Sequence, residues 1–312
     1  MTKVRNKVKR TFRNKHASIQ AQLAEQLLFV SGVKKDFQTI ENTQEYLKIR
    51  ELENEKEIKI PRIKTHLDKV MYQNNPTYIF GKLKDQKDKV ILYLHGGSYN
   101  SNPIRYHFKF LDKVYHSTKN AIVMPIYPKA PKYTYKDAYV MIEEIYNDLI
   151  DKGYKNIVLM GDSAGGGLAL GFTHYLIKEE KTIPKELILL SPWVDIEMNN
   201  KTISKFEGKD PMLSSVGLRE MGKVWAGSMN TDSYLLSPIN GDFSNFPKTN
   251  IFVGTHEIFY PDNKKIYFKM KEANVKVELF KYLEMNHCFP MFPIPEGRRA
   301  INDIVNIIKG NI

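Results

Sequence analysis

From about residue 60 onward, strand-like apolar runs alternate with amphipathic stretches of helical period. That alternation leaves few architectures open to the chain, because it is the signature of βα units stacked into a mostly parallel sheet. The clearest runs are residues 90–94, 121–127, 156–160, 186–190 and 250–253, and residues 275–280 alternate as a half-buried strand would. Between them the pattern predicts helices over about 104–119, 134–152 and 164–179, and a last helix over about 297–309 carrying Ile301, Ile304, Val305 and Ile308. No strand is evident from 197 to 249, so that segment reads as an insertion with a helix near 214–227. Ahead of the alternating region, Ile19, Leu23, Leu27 and Val30 fall on one helical face, and the charged residues 41–57 form a second helix or a loop. No internal repeat and no Gly/Ser- or Pro-rich linker divides the 312 residues, which suit one α/β domain with additions.

Composition narrows the function classes. Ordinary globular usage, 42% hydrophobic and 26% charged, excludes fibrous and disordered chains. One cysteine, Cys288, excludes an internal disulfide framework and Cys-based zinc fingers, and it fits a reducing compartment. No apolar run reaches the 18 residues of a membrane span. The net charge of +12 raises nucleic acid as a partner, but the lysines and acids intermingle beyond residue 15 and no zinc-finger or RNP-type pattern occurs. The expectation is therefore no nucleic acid. Lys3, Arg5, Lys7, Lys9, Arg10, Arg13 and Lys15, with no acid among the first fifteen residues, make a basic arm suited to peripheral contact with an anionic membrane or simply a solvated tail. The stretch behind it is interrupted by Gln20, Gln22, Glu25 and Gln26, which a signal peptide would not tolerate, so a cytoplasmic protein is expected, with membrane association through the arm as an option.

The run 156–160 leads directly into Gly161-Asp162-Ser163-Ala164-Gly165-Gly166-Gly167, with a helix after it. G-x-S-x-G alone is a weak signal, but a strand before it and a helix behind it are what a nucleophile elbow requires. Ser163 then stands at a helix N-terminus, where free N–H groups and the dipole favour negative charge, and the Ala164 N–H points to where an oxyanion would form. A phosphate loop is excluded because no Gly-Lys-Ser/Thr follows. Upstream, the run 90–94 ends in His95-Gly96-Gly97-Ser98-Tyr99, a glycine-bearing loop that lets backbone N–H groups approach a ligand closely and suits the other wall of an acyl-transfer site. His95 is expected to brace that loop rather than to move protons.

A serine nucleophile needs a base and an orienting carboxylate, in the chain order serine, acid, histidine on such a sheet. Only His174, His256 and His287 follow Ser163. His174 falls inside the helix after the elbow, His256 precedes the best acid, and His287 lies in a loop after the last alternating strand, so His287 is the favoured base. Glu257, in Gly254-Thr-His-Glu257 after the run 250–253, is the favoured acid, with Asp262 as runner-up; Asp262 sits beside Pro261 at a predicted helix start and could serve as a cap instead. Cys288 reads as a small buried residue or a redox control, and Tyr99, Trp193, Trp225, Phe289 and Phe292 either line an acyl pocket or pack in the core.

Together, His95-Gly-Gly-Ser-Tyr, Pro125-Ile-Tyr-Pro-Lys-Ala-Pro131, Gly161-Asp-Ser-Ala-Gly-Gly, Ser191-Pro-Trp-Val-Asp195, Gly254-Thr-His-Glu257 and Asn286-His287 resemble the hormone-sensitive-lipase-like carboxylesterases of the α/β-hydrolase superfamily over residues 60–310. The resemblance implies an α/β-hydrolase fold and a serine esterase acting on small to medium acyl esters through an acyl-enzyme, with no metal or organic cofactor, as a monomer or homodimer. It implies Ser163 as nucleophile, His287 as base, Glu257 as acid, and Gly97, Ser98 and Ala164 as the oxyanion hole. It also implies a helical cap, dividing the chain into a basic arm with cap helices at 1–60 and a catalytic domain at 61–312 with a cap insertion at about 198–228. Two departures stand out: Ser98 replaces the third glycine of the loop, and glutamate replaces aspartate as the acid. A non-catalytic ligand-binding homologue, an amide or peptide hydrolase, and a basic binding module on the same fold are the alternatives.

Overall fold

The computed structural model describes residues 13–83 and 89–312; the first twelve residues of the basic arm lie outside them. Two helices come first, α1 (Ile19–Ser31) and α2 (Ile40–Asn54), joined by a 3-10 turn at Val33–Phe37. The sheet then begins with a hairpin, β1 (Leu67–Tyr72) and β2 (Asn75–Phe80), followed by β3 (Lys89–Leu94), α3 (Arg105–Thr118), β4 (Ile122–Pro125), α4 (Tyr135–Asp151), β5 (Asn156–Asp162), α5 (Ser163–Lys178) and β6 (Glu186–Leu190). After the insertion, with α6 (Ser204–Glu207) and α7 (Ser215–Ala226), come β7 (Lys248–Gly254), α8 (Tyr260–Glu272), β8 (Val277–Tyr282) and α9 (Pro295–Lys309). The strands form one sheet in the order β1-β2-β4-β3-β5-β6-β7-β8. The pairings β1–β2 and β2–β4 are antiparallel; all the others are parallel. The alternation predicts this mostly parallel sheet, and the arrangement is the α/β-hydrolase fold that the resemblance implies.

The central strands are apolar on both sides because both sides are covered. On β3, Val90, Leu92 and Leu94 enter one core with α4 and α5, while Ile91 and Tyr93 enter a second core with α3 and α9. The hairpin of β1 and β2 escapes the sequence reading. Its strands carry Asp68, Lys69, Asn75 and Pro76, and its two-residue turn is Gln73-Asn74, both in the left-handed region at φ 46° and 63°, a geometry more often signalled by Asn-Gly.

Residues 19–31 are helical as predicted, but the stripe of Ile19, Leu23, Leu27 and Val30 faces solvent, at 73%, 60%, 70% and 83% exposure. The apolar face read from the sequence therefore does not turn into the protein. The face that docks is the small one: Ala21 is buried, and Ala17 and Ala24 pack beside it against the α3/α9 core. Polar ties hold the helix in place. Ser18 caps α1 through the Ala21 N–H at 3.2 Å and binds both oxygens of Glu296, at 2.9 Å from its N–H and 2.8 Å from its hydroxyl. The Ala17 N–H donates to Glu284 at 2.9 Å. Arg13 lies over the Phe280 ring at 4.4 Å and pairs with Glu278 at 3.1 Å.

The second N-terminal helix and the insertion form one cluster. α2 packs on α7, and the turn at Val33–Phe37 lies against α7 so closely that a Cβ on Gly217 would stand 2.7 Å from Phe37 Cα. Lys34 threads into the insertion, donating to the Glu207 and Asp210 carbonyls. Gly217→Val forces that contact apart and should lower stability by about 1–3 kcal/mol, the usual cost of overpacking; a urea titration followed by circular dichroism checks it, and an unchanged midpoint would mean that this junction yields freely.

Candidate active site

The site is built where β3, β5, β6, β7 and β8 end. β5 runs into Ser163 with no intervening loop, and Ser163 adopts φ 51°, a left-handed conformation that a non-glycine residue holds only at a cost. The glycines on either side of the turn make it possible. A Cβ on Gly161 would lie 2.5 Å from the Gly165 carbonyl oxygen, and one on Gly165 only 2.0 Å from the Leu94 carbonyl oxygen. The serine thus stands at the first position of α5, buried to 6% exposure, with the Ala164 N–H in the helix's unsatisfied first turn.

Facing it is the loop after β3. Gly97 takes φ 118°, a region closed to L side chains, and a Cβ there would meet the Ser101 carbonyl oxygen at 2.8 Å. Ser98 and Tyr99 follow at φ 52° and 64°. This run of positive φ turns successive N–H groups to one side, and among the described residues those of Gly97 and Ser98 find no acceptor. Helix α2 braces the loop from outside: its Asn54 donates to the Asn100 carbonyl at 2.7 Å and accepts from the Asn102 N–H at 3.1 Å, and the Tyr46 and Ser101 hydroxyls are 3.1 Å apart.

The loops after β7 and β8 bring Glu257 and His287 together. His287 Nδ1 donates to Glu257 Oε2 at 2.9 Å, and both side chains are buried. Glu257 Oε1 accepts from the Gly254 N–H at 2.7 Å and from the Ser191 hydroxyl at 2.8 Å. Burial disfavours the imidazolium, but the hydrogen bond and charge of Glu257, with Asp210 and Asp162 further off, outweigh it and hold the His287 pKa above the ordinary histidine value. With Nδ1 committed to Glu257, Nε2 is the accepting nitrogen; it lies within hydrogen-bond distance of Cys288 Sγ at 3.4 Å and makes no hydrogen bond to Ser163. Such bonds are often loose before substrate arrives.

Asp262 does not join this pair. It is buried near the start of α8, where its Oδ1 accepts from Asn200 at 2.8 Å, and burial, with Asp195 nearby, raises its pKa to about 6. His174 is buried in α5 against the Pro238 carbonyl, and His256 pairs with Glu25 of α1 at 2.7 Å. His95 stacks on Tyr127 with ring centres 4.5 Å apart and bonds its own loop at the Gly96 carbonyl; burial, with the Lys129 and His107 charges, pushes its pKa down to about 3, so it is a neutral brace. Burial pushes the Cys288 thiol well up, which keeps it protonated and unreactive. Tyr99, Trp193, Trp225 and Phe289 are fully buried in the packing, while Phe292 is half-buried.

Three residues with no role in the sequence reading hold the site together. Asp162 accepts the Gly96 N–H at 2.8 Å and the Tyr93 hydroxyl at 2.6 Å on Oδ1, and faces His107 Nε2 at 3.3 Å and the Cys288 thiol at 3.7 Å on Oδ2. Burial works against its charge, but His107 and these hydrogen bonds prevail and hold its pKa at about 2. Ser191 donates to Glu257 and accepts the Cys288 N–H at 3.2 Å, linking acid loop to histidine loop. Asp210, fully buried in the insertion, accepts the N–H groups of Met212 and Leu213 and that of Ile258, the residue after Glu257, at 2.8, 2.9 and 3.0 Å. Asp162 and Ser191 were visible as members of quoted motifs; Asp210 carried no signal beyond an acid before Pro211.

A buried serine on a strand–helix elbow, a glycine loop with free N–H groups and a carboxylate–imidazole pair define an α/β hydrolase. The family model described as alpha/beta hydrolase fold matches residues 91–291, and the chain belongs to that family. Among curated relatives, an esterase of Acinetobacter venetianus is 28% identical over 228 residues, covering 72% of this chain and 75% of its own. An acetyl-hydrolase of Streptomyces hygroscopicus is 27% identical over 220 residues, covering 69% and 74%. Among solved structures, a putative esterase from Staphylococcus aureus superposes with a TM-score of 0.83 at 33% identity, covering 88% of this chain and 95% of that one. An esterase of the bacterial hormone-sensitive lipase family shares the fold at a TM-score of 0.80 and 22% identity.

The loop geometry yields a paired expectation. Gly97→Val cannot keep φ 118° and should cost about 10²–10³ in turnover, the scale of losing one oxyanion donor. Ser98→Gly keeps every N–H and relaxes φ 52°, so it should be near neutral. Steady-state kinetics on a soluble ester decide; a tolerant Gly97→Val would mean that this loop faces away from the reacting carbonyl.

Proposed function

We propose that this α/β hydrolase is a serine carboxylesterase that cleaves small to medium acyl esters through an acyl-enzyme. The observation that carries the reading is the Glu257–His287 hydrogen bond at 2.9 Å, set on the loops after β7 and β8 beside the strained Ser163 turn. The Acinetobacter and Streptomyces relatives, an esterase and an acetyl-hydrolase, support ester chemistry and a short acyl group.

In this mechanism the Ser163 hydroxyl attacks the ester carbonyl carbon as His287 Nε2 takes its proton. The Gly97, Ser98 and Ala164 N–H groups receive the developing oxyanion. The tetrahedral intermediate collapses as the imidazolium returns the proton to the leaving alkoxide. Water then repeats the sequence on the acyl-serine, releasing the acid and the free serine. Glu257 fixes the histidine tautomer and stabilises the imidazolium; it takes no proton itself. Tyr99 stacks on Trp225 with ring centres 4.5 Å apart and packs against the elbow helix, where a Cβ on Gly167 would stand 2.8 Å from the Tyr99 hydroxyl.

Ser163→Ala should abolish labelling by a fluorophosphonate probe and nearly all turnover of p-nitrophenyl acetate and butyrate while the circular dichroism spectrum is unchanged. Labelling that survives in the folded variant would move the nucleophile elsewhere.

The pH profile follows from the electrostatics. The neutral imidazole is the working form and its pKa is raised, so kcat/KM should fall as pH drops through a midpoint above the ordinary ~6.5 of histidine. Glu257→Gln removes the carboxylate charge that opposes the effect of burial, so the midpoint should shift to lower pH while activity drops by orders of magnitude. Asp262→Asn should leave both nearly unchanged. A midpoint that ignores Glu257→Gln but responds to Asp262→Asn would reassign the acid.

A further inference from the structure

We propose that the outer face of α1 is a docking surface for an anionic lipid bilayer. Among the described residues, fifteen large hydrophobic side chains are exposed, and nine of them lie between Ile19 and Ile60. Four form the unbroken stripe of Ile19, Leu23, Leu27 and Val30, spaced so that they share one face of a helix about 20 Å long. Soluble surfaces seldom leave an apolar face of this kind uncovered. The helix nonetheless has a fixed seat, held by Ser18–Glu296 and Glu25–His256 and by the packing of Ala21, so its apolar side is directed outward by construction.

Charge identifies the occupant. Residues 1–15 carry seven lysines and arginines and no acid, and the stripe begins four residues later. Five of these cations fall within the twelve residues before Arg13. An apolar helix face flanked by a cationic segment matches the acyl and headgroup layers of an anionic membrane. A second copy of the chain fits less well, since two +12 proteins would meet through faces next to their most cationic ends. The placement also has a consequence for access. Glu25 of α1 pairs with the residue next to Glu257, so α1 lies on the rim of the site, and docking through it would bring that rim to the lipid surface.

The test uses the full chain with vesicles of phosphatidylcholine alone or with phosphatidylglycerol, read by co-sedimentation. Wild type should bind phosphatidylglycerol vesicles, and binding should weaken at least about tenfold with phosphatidylcholine alone or at high salt. Leu23→Asp with Leu27→Asp should lose most vesicle binding yet keep wild-type turnover of p-nitrophenyl acetate, because both side chains are exposed and outside the site. Ser163→Ala should bind vesicles like wild type, which separates this proposal from the esterase assignment. Absent vesicle binding, or binding indifferent to the paired Asp variant, would overturn it. So would a wild-type dimer in light scattering that the paired variant splits, since the stripe would then be a subunit interface.

Discussion

One buried carboxylate ties the working parts of this molecule together. Asp162 ends β5 and precedes the serine, yet its own partners come from three other places: the Gly96 N–H of the loop after β3, the Tyr93 hydroxyl on β3, and His107 on α3. Cys288, next to His287, also points its thiol at it. An isolated buried carboxylate would be driven to take up a proton. Here the His107 ring and the hydrogen bonds from Tyr93 and Gly96 outweigh burial and keep it ionised. The loop with the free N–H groups is thus fixed to the residue beside the serine, through a charge-assisted bond stronger than a neutral one.

A second tier of contacts relates the helices outside the sheet to the same site. Asn54 and Tyr46 of α2 grip the Asn100–Asn102 segment, Asp210 of the insertion holds the Ile258 N–H, and Lys34 joins the two outer segments. Both sides of the candidate catalytic centre, the glycine loop and the acid loop, are therefore held by residues remote from it in sequence. Loose outer helices would loosen the spacing between these loops, and acyl-transfer catalysis is sensitive to such spacing.

What could be read from the chain divides along physical lines. The parallel strands were legible because burial on both faces leaves continuous apolar runs, and the elbow because its geometry demands glycine at 161 and 165. Glu257 and His287 were found by chain order, and the structure brings those two side chains together. The β1–β2 hairpin was missed because an edge pair can afford polar residues and an Asn-bearing turn. Asp162, Ser191 and Asp210 were missed as working parts for a different reason. A residue that positions others does so through partners 55 or more positions away for Asp162, 66 or more for Ser191, and 48 for Asp210 at Ile258, and no local pattern records such distances.

The helix α1 shows the limit of periodicity most directly. Its apolar residues recur as a core-facing stripe should, and the pattern correctly gives a helix; the face it buries is nevertheless the alanine side. Amphipathicity fixes that two faces differ, not which one meets protein. Inside a globule the two usually coincide because no other apolar phase is available. Here the ties that seat α1 are ionic or hydrogen-bonded, through Glu296, Glu284 and His256, and they leave the hydrophobic side unspent. A helix seated by polar contacts with its apolar face outward is the arrangement expected where a second apolar phase exists, and a bilayer beside the rim of an ester-cleaving site would provide one.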